Sequence, residues 1–179
     1  MSITHRTLSF LSLACVVSGA LADGDAPVAS TAGATLAQYR DMYSRSPLCG
    51  GDELTLLRCE TKHKAFALCA SPSVTRTTGY LQYRAADAGK PVFAYPATRK
   101  PPAGLFEYVS AANGDASIGF TNAGYRYLLA DPLRDRSFIT VTAPGAHGKA
   151  TTIACGPNQT LQVNYTMRLM DDAGVWNHD

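Results

Sequence analysis

Short segments of alternating polar and apolar residues, separated by tight-turn residues, run through most of this 179-residue chain. The segments are rich in aromatic and β-branched side chains, a pattern typical of β-strands. The sequences between them include Asn113-Gly114 and Asn122-Ala123-Gly124, where asparagine and glycine tolerate the positive φ of hairpin turns. Short strands with such tight connections pair antiparallel. The sequence therefore predicts a mostly β fold, a single antiparallel β-sandwich or barrel of about nine short strands.

The predicted strands are spread over the chain from residue 54 onwards. They are 54–59, 65–69, 79–85, 92–95, 105–110, 116–121, 125–130, 138–142 and 150–155, with 161–165 as a further candidate. Because no internal repeat or low-complexity linker interrupts them, we predict one β-domain over 48–170, followed by an irregular tail, 171–179.

A short N-terminal helix is predicted before the strands. The residues that fall on one face if 34–45 is helical are Leu36, Tyr39, Met42 and Tyr43, and Pro47 prevents the helix from continuing. This helix belongs to a leader, residues 23–47, whose first part is rich in small residues.

Residues 1–22 have the pattern of a secretory signal peptide. Arg6 gives a positive start, residues 8–19 are largely apolar, and Ala20-Leu21-Ala22 offers a small-x-small cleavage site. The apolar run is too short to span a bilayer, and no later segment approaches 18 unbroken apolar residues. Lipidation at Cys15 is disfavoured because the usual upstream leucine is missing. We expect an exported protein, periplasmic or secreted, with no membrane span.

The remaining cysteines support an oxidising compartment. Cys49, Cys59, Cys69 and Cys155 form an even set, which in an exported chain predicts two disulfides. Their spacing lacks the close pair typical of a zinc site. Three pairings are open. In one of them, Cys59 and Cys69 would face each other across a hairpin and leave Cys49 to reach Cys155.

Charge and composition exclude several classes of function. Without Arg6 the chain has 15 basic and 14 acidic residues, a balance that argues against nucleic-acid binding. A hydrophobic content of 46% argues against a disordered protein.

Several motifs of the chain are similar to those of small exported bacterial β-proteins of unknown activity. The resemblance covers roughly 48–156, and its most specific part is Gly79-Tyr80-Leu81-Gln82-Tyr83-Arg84, with the spaced cysteines and Gly124-Tyr125-Arg126-Tyr127 as further parts. It implies a periplasmic or secreted β-domain. It implies no catalytic residue, cofactor or ligand.

The sequence contains no catalytic motif. His63 lies in a charged turn and His147 in a glycine-rich loop, and a solvated position is the simpler interpretation of both. Two carboxylate pairs, Asp171-Asp172 and Asp131 with Asp135, could in principle hold a cation, but the arginines that alternate with the second pair favour a solvated loop. We therefore predict no catalytic, cofactor-binding or metal-binding residue. A hydrolase with a histidine base, acting on envelope material, stays as an alternative.

Tyrosines and arginines recur together in the predicted strands. Both residue types are favoured at interfaces, because each offers a large contact area with a polar end. The candidate contact face comprises Tyr80, Tyr83, Arg84, Tyr95, Tyr125, Arg126 and Tyr127. The competing interpretation is that the tyrosines border the core and the arginines are simply solvated.

These observations predict an exported, non-catalytic binding module, for example an inhibitor or immunity-type protein. Its partner would be a protein or an envelope polysaccharide. A purely structural envelope protein is a further alternative. The oligomeric state is left open.

Overall fold

The computed structural model describes residues 44–132, 134–157 and 167–176. The predicted export signal, most of the leader and the candidate strand 161–165 lie outside these ranges. So does the predicted helix, except for Ser44 and Arg45, which are not helical.

Nine strands and one short helix form within the described residues. They are β1 (Leu54–Glu60), β2 (Lys64–Ala70), β3 (Leu81–Asp87), β4 (Lys90–Tyr95), β5 (Glu107–Ser110), β6 (Ala116–Asn122), β7 (Tyr125–Asp131), β8 (Phe138–Thr142), β9 (Ala150–Ala154) and α1 (Met167–Asp172). No helix in this part of the chain is long and apolar enough to cross a bilayer.

The strands form two antiparallel sheets in chain order. The first sheet is β1-β2-β3-β4 and the second is β5-β6-β7-β8-β9. Each strand pairs with its neighbour in sequence, and neither sheet closes on itself. One cluster of buried side chains draws on both sheets. The mostly β, antiparallel prediction is therefore confirmed, in a sandwich-like arrangement.

Two-residue turns set the register of two hairpins. Ala88-Gly89 joins β3 to β4 and Ala123-Gly124 joins β6 to β7, and all four residues have positive φ. Consecutive positive φ values give the turn a twist that matches the flanking strands, so the strands pair without splaying. The hairpin predicted at 122–124 is confirmed.

Stacked aromatic rings join the two sheets. Tyr95 of β4 lies parallel to Phe120 of β6 at 4.4 Å between ring centroids, and Phe120 lies parallel to Tyr127 of β7 at 4.5 Å. Phe93 of β4 follows Tyr127 at 5.6 Å. The order is Tyr95, Phe120, Tyr127, Phe93, so two stacked rings of the second sheet lie between two rings of the first. We call these four side chains the aromatic stack. Tyr83 is buried beside it, 5.3 Å from Phe120.

The disulfides are Cys49–Cys69 and Cys59–Cys155. The hairpin pairing considered above is therefore not formed. In the β1–β2 register Cys59 lies opposite Phe66 and Cys69 opposite Thr55, so the two cysteines are at different ends of the hairpin. They also point to opposite faces, because side chains alternate along a strand. Cys59 instead reaches the second sheet just after β9.

The end of the described chain packs as part of the core. Leu169 and Met170 of α1 are buried, and so is Val175 after it. The Tyr108 amide of β5 donates to the Val175 carbonyl at 2.6 Å, and the Trp176 ring lies edge-on to the Tyr108 ring at 5.2 Å. The sequence predicts no helix here, and α1 extends into the segment predicted to be an irregular tail.

The two disulfides should contribute unequally to stability. Cys59–Cys155 closes a loop with a sequence separation of 96 and Cys49–Cys69 one of 20. In the chain-entropy treatment these loops correspond to about 5 and about 3 kcal/mol of stabilisation. We expect urea unfolding of the double variant C59A/C155A to show the larger loss in the free energy of unfolding. Peptide mapping that found Cys59 linked to Cys69 would contradict the pairing.

Candidate binding site

The seven residues of the predicted contact face occupy three different places. Tyr83, Tyr95 and Tyr127 pack between the sheets in or beside the aromatic stack. Tyr80 and Arg84 surround a buried carboxylate on the other face of the first sheet. Tyr125 and Arg126 are exposed at the start of β7. Alternation of side chains explains the division, because Tyr83 and Arg84 are adjacent on one strand and must point to opposite faces.

The buried carboxylate is Glu53, just before β1, with 2% of its surface exposed. Arg84 holds it in a bidentate pair, with Nη1 and Nη2 each 2.6 Å from one carboxylate oxygen. The Tyr80 hydroxyl and the Gly50 amide also donate to it. Arg99 adds a 3.1 Å ion pair and lies over the Tyr80 ring, 4.8 Å from its centroid. We call these residues, Glu53, Tyr80, Arg84 and Arg99 with the Gly50 amide, the Glu53 cluster.

The charge on Glu53 is fixed by its partners. Burial alone would raise the pKa of this carboxyl, but the hydrogen bonds from Arg84, Tyr80 and Gly50, with the charge of Arg84, outweigh it. The pKa falls from 4.5 to about 2. Arg84 also donates to the Leu48 carbonyl at 2.7 Å and to Gln82 Oε1 at 2.9 Å. A carboxylate so fully hydrogen-bonded is not available as a general base, and its position indicates that it fixes the loop before β1 onto the sheet.

The Glu53 cluster adjoins a potential ligand set, Cys49, Glu53 and Cys69, whose ligand atoms lie within 4.8 Å of one another. The two sulfurs form a disulfide with each other, so they have no thiolate to offer a metal while the bond is intact.

The two histidines of the described chain are far apart in the topology. His63 lies in the β1–β2 turn of the first sheet and His147 in the β8–β9 loop of the second, and both are exposed. Within the described ranges neither imidazole has a carboxylate partner that would orient it as a base.

A cleft of about 460 Å³ opens on the second sheet and brings three of the seven predicted residues together. Tyr95, Arg126 and Tyr127 line it, with Phe120 from the aromatic stack. The volume is within the range of small-ligand sites, which combine apolar or aromatic walls with a few polar groups.

Strand register explains how the polar groups reach the cleft. Glu107 of β5 is paired with Gly119 of β6, and Thr121, two residues further along β6, is paired with Arg126 of β7. Glu107, Gly119, Thr121 and Arg126 therefore point to the same, outer face of the sheet. From the spacing of strands and of residues along them, the Cα atoms of Glu107 and Arg126 are about 12 Å apart.

Most residues of these sites were not predicted from the sequence, and two of them had a recognisable signal. Gly119 is a lone glycine inside a strand pattern, which often marks the close approach of a ligand or of another backbone. Glu53 is an acidic residue directly before an apolar strand, and this position is the sequence signal that could have identified it as part of a site.

No family model, curated protein or solved structure matches the chain. The resemblance to exported bacterial β-proteins therefore stays a prediction.

The Glu53 cluster predicts a specific dependence of stability on pH. Glu53→Gln removes the charge and leaves Arg84 without its charged partner, so we expect the free energy of unfolding at pH 7 to fall by about 3 kcal/mol. The folded-state pKa lies below the unfolded one, so this stabilisation is full above about pH 5 and is lost as the pH falls towards 2.

Urea unfolding of wild type and variant at several pH values measures this difference. Glu60→Gln is the matched control, because its Arg58 ion pair is partly exposed and should contribute less than about 1 kcal/mol. A loss that is the same at pH 7 and pH 2.5, or equal in both variants, would contradict the role given to Glu53.

Proposed function

We propose that this protein is an exported, non-catalytic binding module, and that the cleft on the second sheet is where it recognises an envelope or secreted partner. The observation that carries the proposal is the cleft itself, which is lined by aromatic residues together with one acidic residue, Glu107, and one basic residue, Arg126. Disulfides form and persist in oxidising compartments, so the two disulfides of this protein support export.

The surroundings of the cleft support a rigid binding site. Phe120 and Tyr127 line it and are also held on both sides by rings of the first sheet. A wall fixed in this way loses little conformational freedom when a ligand arrives, so more of the interaction energy appears as affinity.

Arg126 is the natural residue to test, because its side chain is exposed and takes no part in the core. The oxidised protein would be immobilised, and saturable capture from envelope extract and culture supernatant would be measured. We expect Arg126→Glu to lower capture at least tenfold, because the substitution puts a second carboxylate in the cleft.

Arg136→Glu is the matched control. Arg136 is also exposed, follows β7 outside the cleft, and gives the same change in net charge. Capture that is lost in both variants, or retained in both, would count against the cleft. Turnover of envelope material that required His63 or His147 would instead support the hydrolase.

A further inference from the structure

We propose that the outer edge of β9 is a dimerisation edge, along which β9 of a second copy of this chain pairs antiparallel about a two-fold axis. The pairing joins the second sheets of the two copies into one continuous sheet. This inference goes beyond the proposed function and does not depend on it.

Three of the four edges of the two described sheets are protected from pairing with another chain. β4 carries Lys90 and Pro91 and has a bulge against β3. β1 carries the Arg58–Glu60 ion pair and has a bulge against β2. The third edge, β5, pairs with the segment that follows α1. Charges, prolines, bulges and covering segments are the usual means by which proteins prevent edge-to-edge association.

β9 has none of these features. Its sequence, Ala150-Thr151-Thr152-Ile153-Ala154, contains no charge and no proline, and its register with β8 is continuous. All of its residues are exposed except Ile153, which is half-buried. In the described part of the chain no strand pairs with its outer side. Among the edges of the two described sheets, β9 is therefore the one that is open to another strand.

The backbone of β9 alternates between bonds to β8 and groups directed away from it. Just before the strand, the Lys149 carbonyl accepts from the Ala143 amide. Just after it, the Cys155 amide donates to the Ser137 carbonyl. In an antiparallel ladder, residues that bond to the neighbouring strand alternate with residues that do not, so the odd-numbered residues of β9 bond to β8. The residues whose amides and carbonyls point away from β8 are Ala150, Thr152 and Ala154.

A two-fold axis beside Thr152 pairs all of these groups at once. Thr152 then lies opposite Thr152 of the second copy, and Ala150 lies opposite Ala154 of the second copy. Each such pair exchanges two N–H···O hydrogen bonds, as in any antiparallel ladder. Any other register leaves at least one of the three residues without a partner on the facing strand. The edge is therefore complementary to itself, which is the property that a closed two-fold dimer requires.

The side chains fit the same register. The outer face of the contact carries methyl and hydroxyl groups, and on the inner face Thr151 lies opposite Ile153 of the second copy. The nearest charged residue in the chain is Lys149, which lies opposite Cys155 of the second copy, so the two lysines are about 20 Å apart. That distance exceeds the Debye length at physiological ionic strength, so their repulsion is largely screened.

The dimer should be reversible and should leave the cleft open. A short edge buries well below the roughly 800 Å² per partner of a standard interface, so association is weak and depends on concentration. The strands that line the cleft, β5 to β7, are separated from β9 by β8. Antiparallel pairing about a two-fold axis keeps the outer faces of both copies on one side, so the dimer presents two clefts in the same direction.

The oligomeric state tests the proposal. Sedimentation velocity of the oxidised protein would be recorded between about 5 μM and about 500 μM, the range in which weak interfaces of this size assemble. We expect the average mass to rise from that of a monomer towards that of a dimer. Thr152→Lys puts two lysines directly opposite each other at the axis, and we expect it to lower the association constant at least tenfold.

Thr140→Lys is the matched control. Thr140 of β8 is paired with Thr152, and their hydroxyls are 3.2 Å apart, so both variants lose the same contact and gain the same charge. Thr140 lies one strand further from the axis, where the two lysines of a dimer would be about 14 Å apart. We expect the association constant of this variant to stay within about twofold of wild type, because charges at that distance are screened.

Amide hydrogen exchange of the wild-type protein tests the register without any substitution. We expect the amides of Ala150, Thr152 and Ala154 to exchange more slowly as the protein concentration rises, because they gain hydrogen bonds in the dimer. The amides of Thr151 and Ile153 bond to β8 in the monomer, so their exchange should not change with concentration.

The outcomes separate a second copy from other partners. A protein that stays monomeric over this range, or a dimer whose β9 amides exchange at the same rate at every concentration, would overturn the proposal. Equal dissociation in Thr152→Lys and Thr140→Lys would overturn it as well. If material captured from envelope extract slows the same amides in a monomeric protein, β9 binds a strand of a different protein and the second copy is wrong. None of these results depends on Arg126, so the proposed function is tested separately.

Discussion

The contact between the two sheets depends on the aromatic stack. Phe120 and Tyr127 of the second sheet stack on each other, and Tyr95 and Phe93 of the first sheet cover the two ends of this pair. Aromatic pairs of this kind add about 0.5–1.5 kcal/mol each beyond the area they bury. Since three of the four rings also line the cleft, the interaction that joins the sheets also shapes the proposed binding site.

The outer face of the first sheet differs from that of the second, because a loop covers part of it. The Cys49–Cys69 disulfide and the Glu53 cluster hold the loop before β1 against the first sheet. Cys69 and Gln82 point away from the core cluster and are nevertheless buried. The first sheet is thus covered where the loop crosses it, whereas the second sheet presents its outer face around Gly119. This asymmetry explains why Tyr80 and Arg84 hold the loop before β1, whereas Arg126 is exposed.

Local features of the fold were predictable and non-local ones were not. Strand positions and the turn at Ala123-Gly124 follow from residue alternation and from backbone preferences, which are visible in neighbouring residues. The partner of Cys59 depends on how two sheets pack, and four cysteines allow three pairings. Helix α1 was missed because it is only six residues long and owes its stability to packing of Leu169 and Met170 rather than to its own sequence.

The candidate site shows the same limit. The recurrence of tyrosine and arginine drew attention to Arg126 and Tyr127, which line the cleft, but composition cannot tell a core tyrosine from one in a cleft. Alternation predicts that Tyr83 and Arg84 point apart, yet it does not say which face is covered. Which face is covered depends on the contact between Arg84 and Glu53, which lies 31 residues earlier in the chain. The position of Gly119 in the cleft follows only from its pairing with Glu107 and Leu128 on the adjacent strands, which the sequence does not give.

The central claim is that this protein recognises its partner on the outer face of the second sheet. Amide chemical shifts of the isotope-labelled, oxidised protein, recorded while captured ligand is added, test it most directly. The account predicts that the largest changes fall on Gly119, Thr121 and Arg126, with His63 and the β1–β2 turn unaffected. Changes confined to the first sheet or to the loops that carry His63 and His147 would contradict it.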